Sequence, residues 1–419
     1  MKYRRPKGTK DILPSEIHKW HYLESVIREV TALFNFREIR TPTFELTELF
    51  TRGIGSETDI VGKEMYTFPD KSGNSLTLKP EGTANVVRAY LENGLEVESP
   101  FQKLYYITNM FRYEKPQEGR YREHTQFGAE IIGSDNISTD VELIMLANEV
   151  FNRVGINDYT LKINSIGKIA ERKNYIEKLR AYLKDNIEVL SDDSKRRFET
   201  NPLRILDSKE KNDIAITTEA PKILDSLSKS SRERFDNVIN MLTKFGVRYE
   251  IDFRLVRGLD YYTDTTFEFI SKKLGSQDAI GGGGRYDGLI ESLGGKPAPG
   301  AGFGCGMERI IIIADKNGFD FPVFSKLKVF FIGLTEEARN LCYKLVIELR
   351  RKKISCDFDS LNRSFKAQMR EANKLNSEFV YIIGENEMIN GTGQLKRMSD
   401  GTQTPVEFSK LSDYFTDII

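Results

Sequence analysis

Histidine is scarce among the reactive side chains: His18, His21 and His124 are the only three in 419 residues. A His-rich metal centre or a Ser/His/Asp constellation is hard to assemble from so few. His18 and His21 flank Trp20 at helical spacing and read as one face of a helix. Cysteine is equally sparse. Cys305, Cys342 and Cys356 are scattered and lack metal-site spacing, which reads as free thiols in a reducing, cytoplasmic compartment. Neither charge predominates, with 62 Lys+Arg against 62 Asp+Glu. No overall positive field draws in nucleic acid, so such a partner would have to be met by a local patch. No apolar run approaches the roughly 20 residues that span a bilayer. The N-terminal MKYRRPKGTKDILPSE has basic residues but no apolar stretch behind them, unlike a secretory signal. Two phosphate-binding patterns are also missing: no GK[ST] follows a glycine loop, and no G-x-G-x-x-G is followed by its acidic partner.

What is present is an ordinary soluble composition, 39% hydrophobic and 30% charged, in a chain long enough for two or three domains. Ser15 stands as a cap before a helix over 16–34, in which Trp20, Leu23, Ile27 and Val30 follow helical spacing. A strand over 36–43 is limited by Pro42 to an edge or strand end. A short helix over 45–50, a Gly-rich loop over 51–62 with Glu57 and Asp59, and paired strands 65–68 and 75–78 follow. Then come a helix over 84–93, a strand over 103–109 and a helix over 139–154 with Asp140 in its first turn. Composition shifts at Lys168. From there to about 245 the chain is helical, highly charged and poor in glycine, and reads as an insertion with a solvated face. Strand patterns return at 248–255 and 261–270. After a linker at about 321–326, strands alternate with helices, which suggests a small α/β domain with a largely parallel sheet. The domains expected are therefore 1–325 and 326–419.

The stretch FRYEKPQEGRYREHTQFGAEIIG, 111–133, reads as strand, charged loop, strand. A hairpin aims alternate side chains from both strands at one ligand. Arg112 suits a phosphate and Glu114 an amino group. In KPEGT, Glu81 and Thr83 fall at a strand-to-helix junction, where they could receive an ammonium group or Thr83 could cap the helix. RGLDYYT sets Arg257 before Tyr261 and Tyr262. In GGGGRYDGL the glycines let backbone approach a ligand closely. GFGCGMER puts Arg309 in the first turn of a helix, where an anion also feels the helix N-terminus. Several arginines with few histidines suit phosphoryl or nucleotidyl chemistry through charge stabilisation rather than proton shuttling.

Together these segments resemble the class II aminoacyl-tRNA synthetases, and within them the histidyl-tRNA synthetases. FREIRTPTFE looks like motif 1, FRYE through Glu130 like motif 2, and GFGCGMER like motif 3. RGLDYYT and GGGRYDGL look like the two signature peptides of the histidine enzymes, and the last domain looks like the family's anticodon-binding domain. The resemblance implies an α+β catalytic domain on a mainly antiparallel sheet, a helical insertion and a C-terminal α/β domain. It implies a cytoplasmic homodimer that joins histidine to ATP, with Mg2+, and passes the histidyl group to tRNA(His), without a prosthetic group. By motif, Arg112 would hold the α-phosphate, Glu114 the adenine amino group and Arg309 the γ-phosphate. Arg257 would stabilise charge at the α-phosphate in place of a metal ion. Glu81, Thr83 and Gln126 would hold the histidine α-amino group. Glu130 and Tyr262 would read the imidazole, with Tyr261 and Tyr286 completing that pocket. Arg120 and Arg122 would face the ATP phosphates and the tRNA acceptor end, and Arg363, Lys366 and Arg370 the tRNA. His124 stands where the family usually packs Phe on adenine, with less area to offer. No side chain is expected as a resident metal ligand. The competing reading is a synthetase-like, histidine-sensing regulatory subunit of a histidine-biosynthesis enzyme. Arg112, Arg257, Arg309 and the C-terminal domain all weigh against it.

Overall fold

The structure, a computed structural model, describes residues 3–55, 58–275, 278–323 and 326–416. Glu57 and residues 324–325 of the expected linker lie outside the described residues. The chain divides into two compact units, Met1–Phe321 and Pro322–Ile419.

The first unit is built on an eight-stranded sheet. Its strands in chain order are β1 (Arg37–Glu38), β2 (Gln102–Phe111), β3 (Glu123–Ile132), β4 (Thr160–Ser165), β5 (Tyr249–Ile251), β6 (Thr263–Ile270), β7 (Ala279–Arg285) and β8 (Gly300–Gly306). Their spatial order is β1-β2-β3-β8-β7-β6-β4-β5. Only the two edge pairings, β1 with β2 and β4 with β5, are parallel. All pairings between them are antiparallel. This is the mainly antiparallel α+β plan expected.

Alternation along the strands divides the sheet's two faces. Phe127, Ala129 and Ile131 of β3, Ala301, Phe303 and Cys305 of β8, and Phe267 and Phe269 of β6 are buried in one apolar core. Four helices contribute to it: α1 (Ile17–Leu33), α3 (Ile137–Arg153), α4 (Lys229–Lys244) and α5 (Met307–Lys316). Each fully buried Leu, Ile or Phe there contributes about 1.5–3 kcal/mol. The opposite face is left for side chains such as Gln126 and Glu130, with Gly302 paired to Glu130 and Gly306 to Gln126. A further helix, α2 (Thr83–Glu92), precedes α3 in sequence.

Several elements depart from the sequence reading. Ser15 does not cap α1, whose start carries no side-chain cap bond. Asn35 ends that helix in the left-handed region at φ 59°, as its short polar side chain allows. The strand expected over 36–43 shrinks to β1, because Pro42 has no N–H for a ladder. The expected helix at 45–50 begins as strand Phe44–Leu46 and turns helical only at Thr47–Ile54. The strand expected over 248–255 is only β5. The insertion is helical as read, with helices at Ile169–Lys184, Asp192–Thr200, Leu203–Leu206 and Lys211–Thr218 before α4.

In the second unit, strands β9 (Val329–Gly333), β10 (Cys356–Phe358), β11 (Phe379–Ile383), β12 (Thr392–Arg397) and β13 (Gln403–Glu407) form a sheet ordered β10-β9-β11-β12-β13. The first three run parallel, and β12 and β13 are antiparallel additions. The sheet is thus mixed rather than largely parallel. Among the described residues no helix is long and apolar enough to cross a membrane.

Candidate active site

The hairpin β2–β3 pairs in full register, from Gln102 with Ile132 to Phe111 with Glu123. Arg112 and Glu114 lie just beyond the strand end, in the loop rather than on the strand. The Arg112 Nε donates to the Pro80 carbonyl at 2.7 Å, which ties the hairpin to the KPEGT segment.

Where that segment meets β3, carboxyl and hydroxyl groups are buried together in a bonded cluster, the acidic pocket of this site. Glu81, 3% exposed, accepts from the N–H groups of Thr83 and Ala84 at 2.7 and 2.8 Å. Glu81, not Thr83, therefore caps α2. The Thr83 hydroxyl donates instead to Glu130 Oε1 at 2.8 Å, and the Tyr286 hydroxyl donates to Glu130 Oε2 at 2.8 Å. Tyr261 donates to Glu81 at 3.3 Å and its ring lies 4.8 Å from that of Tyr262. Burial pushes the Glu130 carboxyl up to about 8, against the two hydroxyls that favour its ionised form. Burial raises Glu81 in the same direction. Tyr286 follows an anchored residue in the chain. Its neighbour Arg285 is fully buried and bonded to Asp140 at 3.1 Å and Asp287 at 2.8 Å. Asp140, read from sequence as a helix-dipole partner, also takes Arg234 at 2.8 Å.

Glycines make the room. An added Cβ at Gly302 would collide with the Glu130 carboxylate, at Gly304 with Gln126, and at Gly300 with the Tyr286 ring. The period-two run of β8 thus packs Ala301, Phe303 and Cys305 into the core and leaves bare backbone on the site face.

Beside this pocket lies an open cavity of about 320 Å³, lined by Arg112, Arg120, Arg257 and Arg309 with Glu114 and His124. Arg257 bonds Glu268 at 2.7 Å and lies 5.8 Å from the Tyr262 ring centre, so it stands between the two spaces. Burial works against its charge, but Glu268, Tyr262 and Asp207 outweigh burial and raise its pKa. Burial and the mutual repulsion of the arginines lower Arg120 and Arg309. Arg120 pairs with Glu114, and Arg309 donates to the Gly119 carbonyl at 2.8 Å. Burial, then Arg112 and Arg309, press the His124 imidazole down to about 3, so it is neutral near pH 7. Buried polar atoms of Gln126 (Oε1), Arg257 (Nε) and Glu308 (Oε2) have no protein partner, which suits a site awaiting polar ligands.

Arg112, Glu114, Arg120, His124, Gln126, Arg257 and Arg309 thus line the cavity, and Glu81, Thr83, Glu130, Tyr261, Tyr262 and Tyr286 gather in the buried cluster beside it. Arg122 is not part of the cavity lining. Its guanidinium stacks 3.7 Å from the Tyr113 ring centre and bonds the Glu114 carbonyl at 3.2 Å. In the second unit Arg363 is committed to Asp359 and Glu371, while Lys366 and Arg370 are exposed. Sequence reasoning missed Asp207, Lys209, Glu268 and Glu308, all of which line the cavity. For Glu308 no distinct signal existed, since an acid in a first helical turn is commonplace.

A family model described as histidyl-tRNA synthetase matches residues 8–310, and one described as an anticodon binding domain matches 326–418. A histidine–tRNA ligase of Thermoanaerobacter sp. (strain X514) is 48% identical over 415 residues, 99% of each chain. One from Halothermothrix orenii is 44% identical over 419 residues, the whole of both chains. The crystal structure of apo Staphylococcus aureus histidyl-tRNA synthetase superposes with a TM-score of 0.83 at 36% identity, covering 99% of each chain. The chain belongs to the histidyl-tRNA synthetase family.

Proposed function

We propose that this chain is a histidine–tRNA ligase working through two adjoining spaces on one sheet face. The observation that carries the reading is the contrast between their side chains, buried carboxyl groups in one and guanidinium groups in the other. A closed pocket holds Glu81 and Glu130 among tyrosines, an open cavity holds four arginines, and Arg257 stands between them. The acidic pocket suits a ligand with an ammonium group and a ring carrying N–H donors. The arginine cavity suits a polyphosphate.

Histidine enters the acidic pocket, with its α-ammonium toward Glu81, Thr83 and Gln126 and its imidazole toward Glu130 and Tyr262. Buried carboxyl and hydroxyl groups left unpaired by an apolar analogue reject it. ATP, with its Mg2+, enters the cavity, where Glu114 takes the adenine amino group and His124 lies against the purine. A histidine carboxylate oxygen then attacks the α-phosphorus. The bond from that phosphorus to the β-phosphate oxygen breaks and pyrophosphate leaves. Arg112 and Arg257 stabilise the charge at the α-phosphate, and Arg309 holds the far end of the polyphosphate. In the second step a hydroxyl of the tRNA 3′ end attacks the histidyl carbonyl and AMP leaves. The second unit grips the tRNA, with Lys366 and Arg370 among its exposed cations. The protein works in the cytoplasm as a homodimer. The histidine-sensing alternative leaves the arginine cavity and the second unit without a purpose.

Histidine-dependent ATP–pyrophosphate exchange by the purified protein tests the reading; no exchange sinks it. Removal of residues 322–419 is expected to leave exchange within ~3-fold while lowering tRNA charging at least ~10-fold, a loss of ~1.4 kcal/mol of binding or more. Equal loss of both contradicts the division of labour.

A further inference from the structure

The helical insertion has no role in the mechanism above, yet one of its turns reaches the cavity. Between helices Leu203–Leu206 and Lys211–Thr218, Asp207 and Lys209 line the same space as Arg112, Arg257 and Arg309. The turn is anchored through the residue between them. Ser208 is buried, and its hydroxyl donates to Asp213 at 2.6 Å. The same carboxylate oxygen accepts from the hydroxyls of Ser191 and Ser194 at 2.6 Å each. Arg254 donates to the Ser208 carbonyl at 3.2 Å. With Ser208 locked inward, its two neighbours face the cavity.

The two charges on this turn are differently committed. Asp207 lies 3.6 Å from Arg204, and its field also supports the charge on Arg257. Lys209 pairs with Asp278 at 3.7 Å, and both side chains are largely exposed, at 57% and 40%. An exposed pair of this kind is worth ~0–1 kcal/mol, so Asp278 holds Lys209 only weakly. Lys209 also stands on the wall that the sheet does not build. Arg112 and Arg309 reach the space from the hairpin end and from α5, and the insertion closes on it from another element. A lysine, a mobile point charge on a flexible stem, suits a group that must depart better than a rigid guanidinium fork does.

We infer that Lys209 binds the terminal phosphates of ATP and the pyrophosphate they become, so that the helical insertion forms a wall of the active site. The inference rests on the proposed function and extends it to a segment the resemblance left unassigned. Lys209→Met is expected to raise the KM for ATP and for pyrophosphate in the exchange reaction ~5–20-fold, the loss of one charge-assisted contact. The KM for histidine should stay within ~2-fold, and Lys209→Arg should restore most of the loss. Lys211→Met, at an exposed lysine two residues on and outside the cavity lining, should behave as wild type. Calorimetric titration of each variant with ATP, and with pyrophosphate alone, reads the same contact without turnover. Wild-type exchange with an unaltered Lys209→Met variant overturns the inference and spares the proposed function. A Lys209→Met variant whose histidine and ATP constants change equally also overturns it, as general disturbance. Absence of exchange in the wild type overturns the proposed function itself.

Discussion

The pocket around Glu130 is closed and internally bonded before any ligand arrives, while the cavity around Arg309 is open and its arginines are held by loops and carbonyls. In the first, both Glu130 oxygens already accept hydroxyls, and Tyr286 follows the buried, ion-paired Arg285 in the chain. In the second, Arg120 rests on Glu114, a group that the mechanism assigns to adenine. The contrast follows from what each space must achieve. Rejecting other amino acids requires polar groups that cannot relax when mispaired. Holding a polyphosphate requires charge that can gather at the right moment and release the product.

Mutation at the junction should separate the two spaces most sharply. Arg257→Ala is expected to lower the exchange rate ~100–1,000-fold, the scale of removing one group that meets developing charge. Histidine binding by calorimetry should persist; a variant that exchanges normally would remove Arg257 from the mechanism.

Glu130→Gln should act on one side only. The expected rise in histidine KM is ~30–100-fold, matching 2–3 kcal/mol for a mispaired buried group, with ATP KM little changed. The same variant tests the charge state of the closed pocket. The folded-state pKa of Glu130 is about 8, above the ordinary 4.5. Its contribution to stability is therefore full below the unfolded pKa and is lost as pH rises through about 8. Gln does not ionise, so the melting temperature of the variant relative to wild type should climb by ~3 °C or more from about pH 5 to 8.5. A difference independent of pH would contradict a carboxyl that is neutral when the pocket is empty.

The smallest effect is expected from His124→Phe in the open cavity. A larger aromatic face against adenine should lower ATP KM ~2–5-fold, on the scale of 0.5–1.5 kcal/mol for ring packing. His124 has a folded-state pKa of about 3 against an ordinary 6.5. Its contribution to stability is present above the unfolded pKa and lost as pH falls from there toward 3. Phe carries no such loss, so the variant should gain on wild type in melting temperature below about pH 6.5. A rise in ATP KM instead would mean that the imidazole does more than fill the space.

These two spaces were unequally legible in the sequence. The hairpin, α1 and α3 were readable because their apolar residues keep a strict period, and Glu130 and Tyr286 stood in recognisable segments. In GFGCGMER the sequence showed the start of α5 but not the extent of β8. Its period-two signal was complete, with Ala301, Phe303 and Cys305 facing the core. Glycine, however, took the places where polar residues usually reveal a strand. The cap on α2 stayed open in the sequence, because a carboxylate two residues before the helix can reach its first amides as well as Thr83 can. Lys209 was invisible for a different reason. Its place in the cavity depends on an anchor at Ser208 and on packing against segments far away in sequence.

The bare backbone of β8 has a consequence for how this protein can change over time. Of the twenty amino acids, glycine alone lacks a Cβ, so every replacement at Gly300, Gly302 or Gly304 would intrude on Tyr286, Glu130 or Gln126. A survey that truncates side chains one by one would pass over these positions, because they have nothing to remove. The information that shapes the amino-acid pocket is written partly as omissions. Drift along this strand can only erase it.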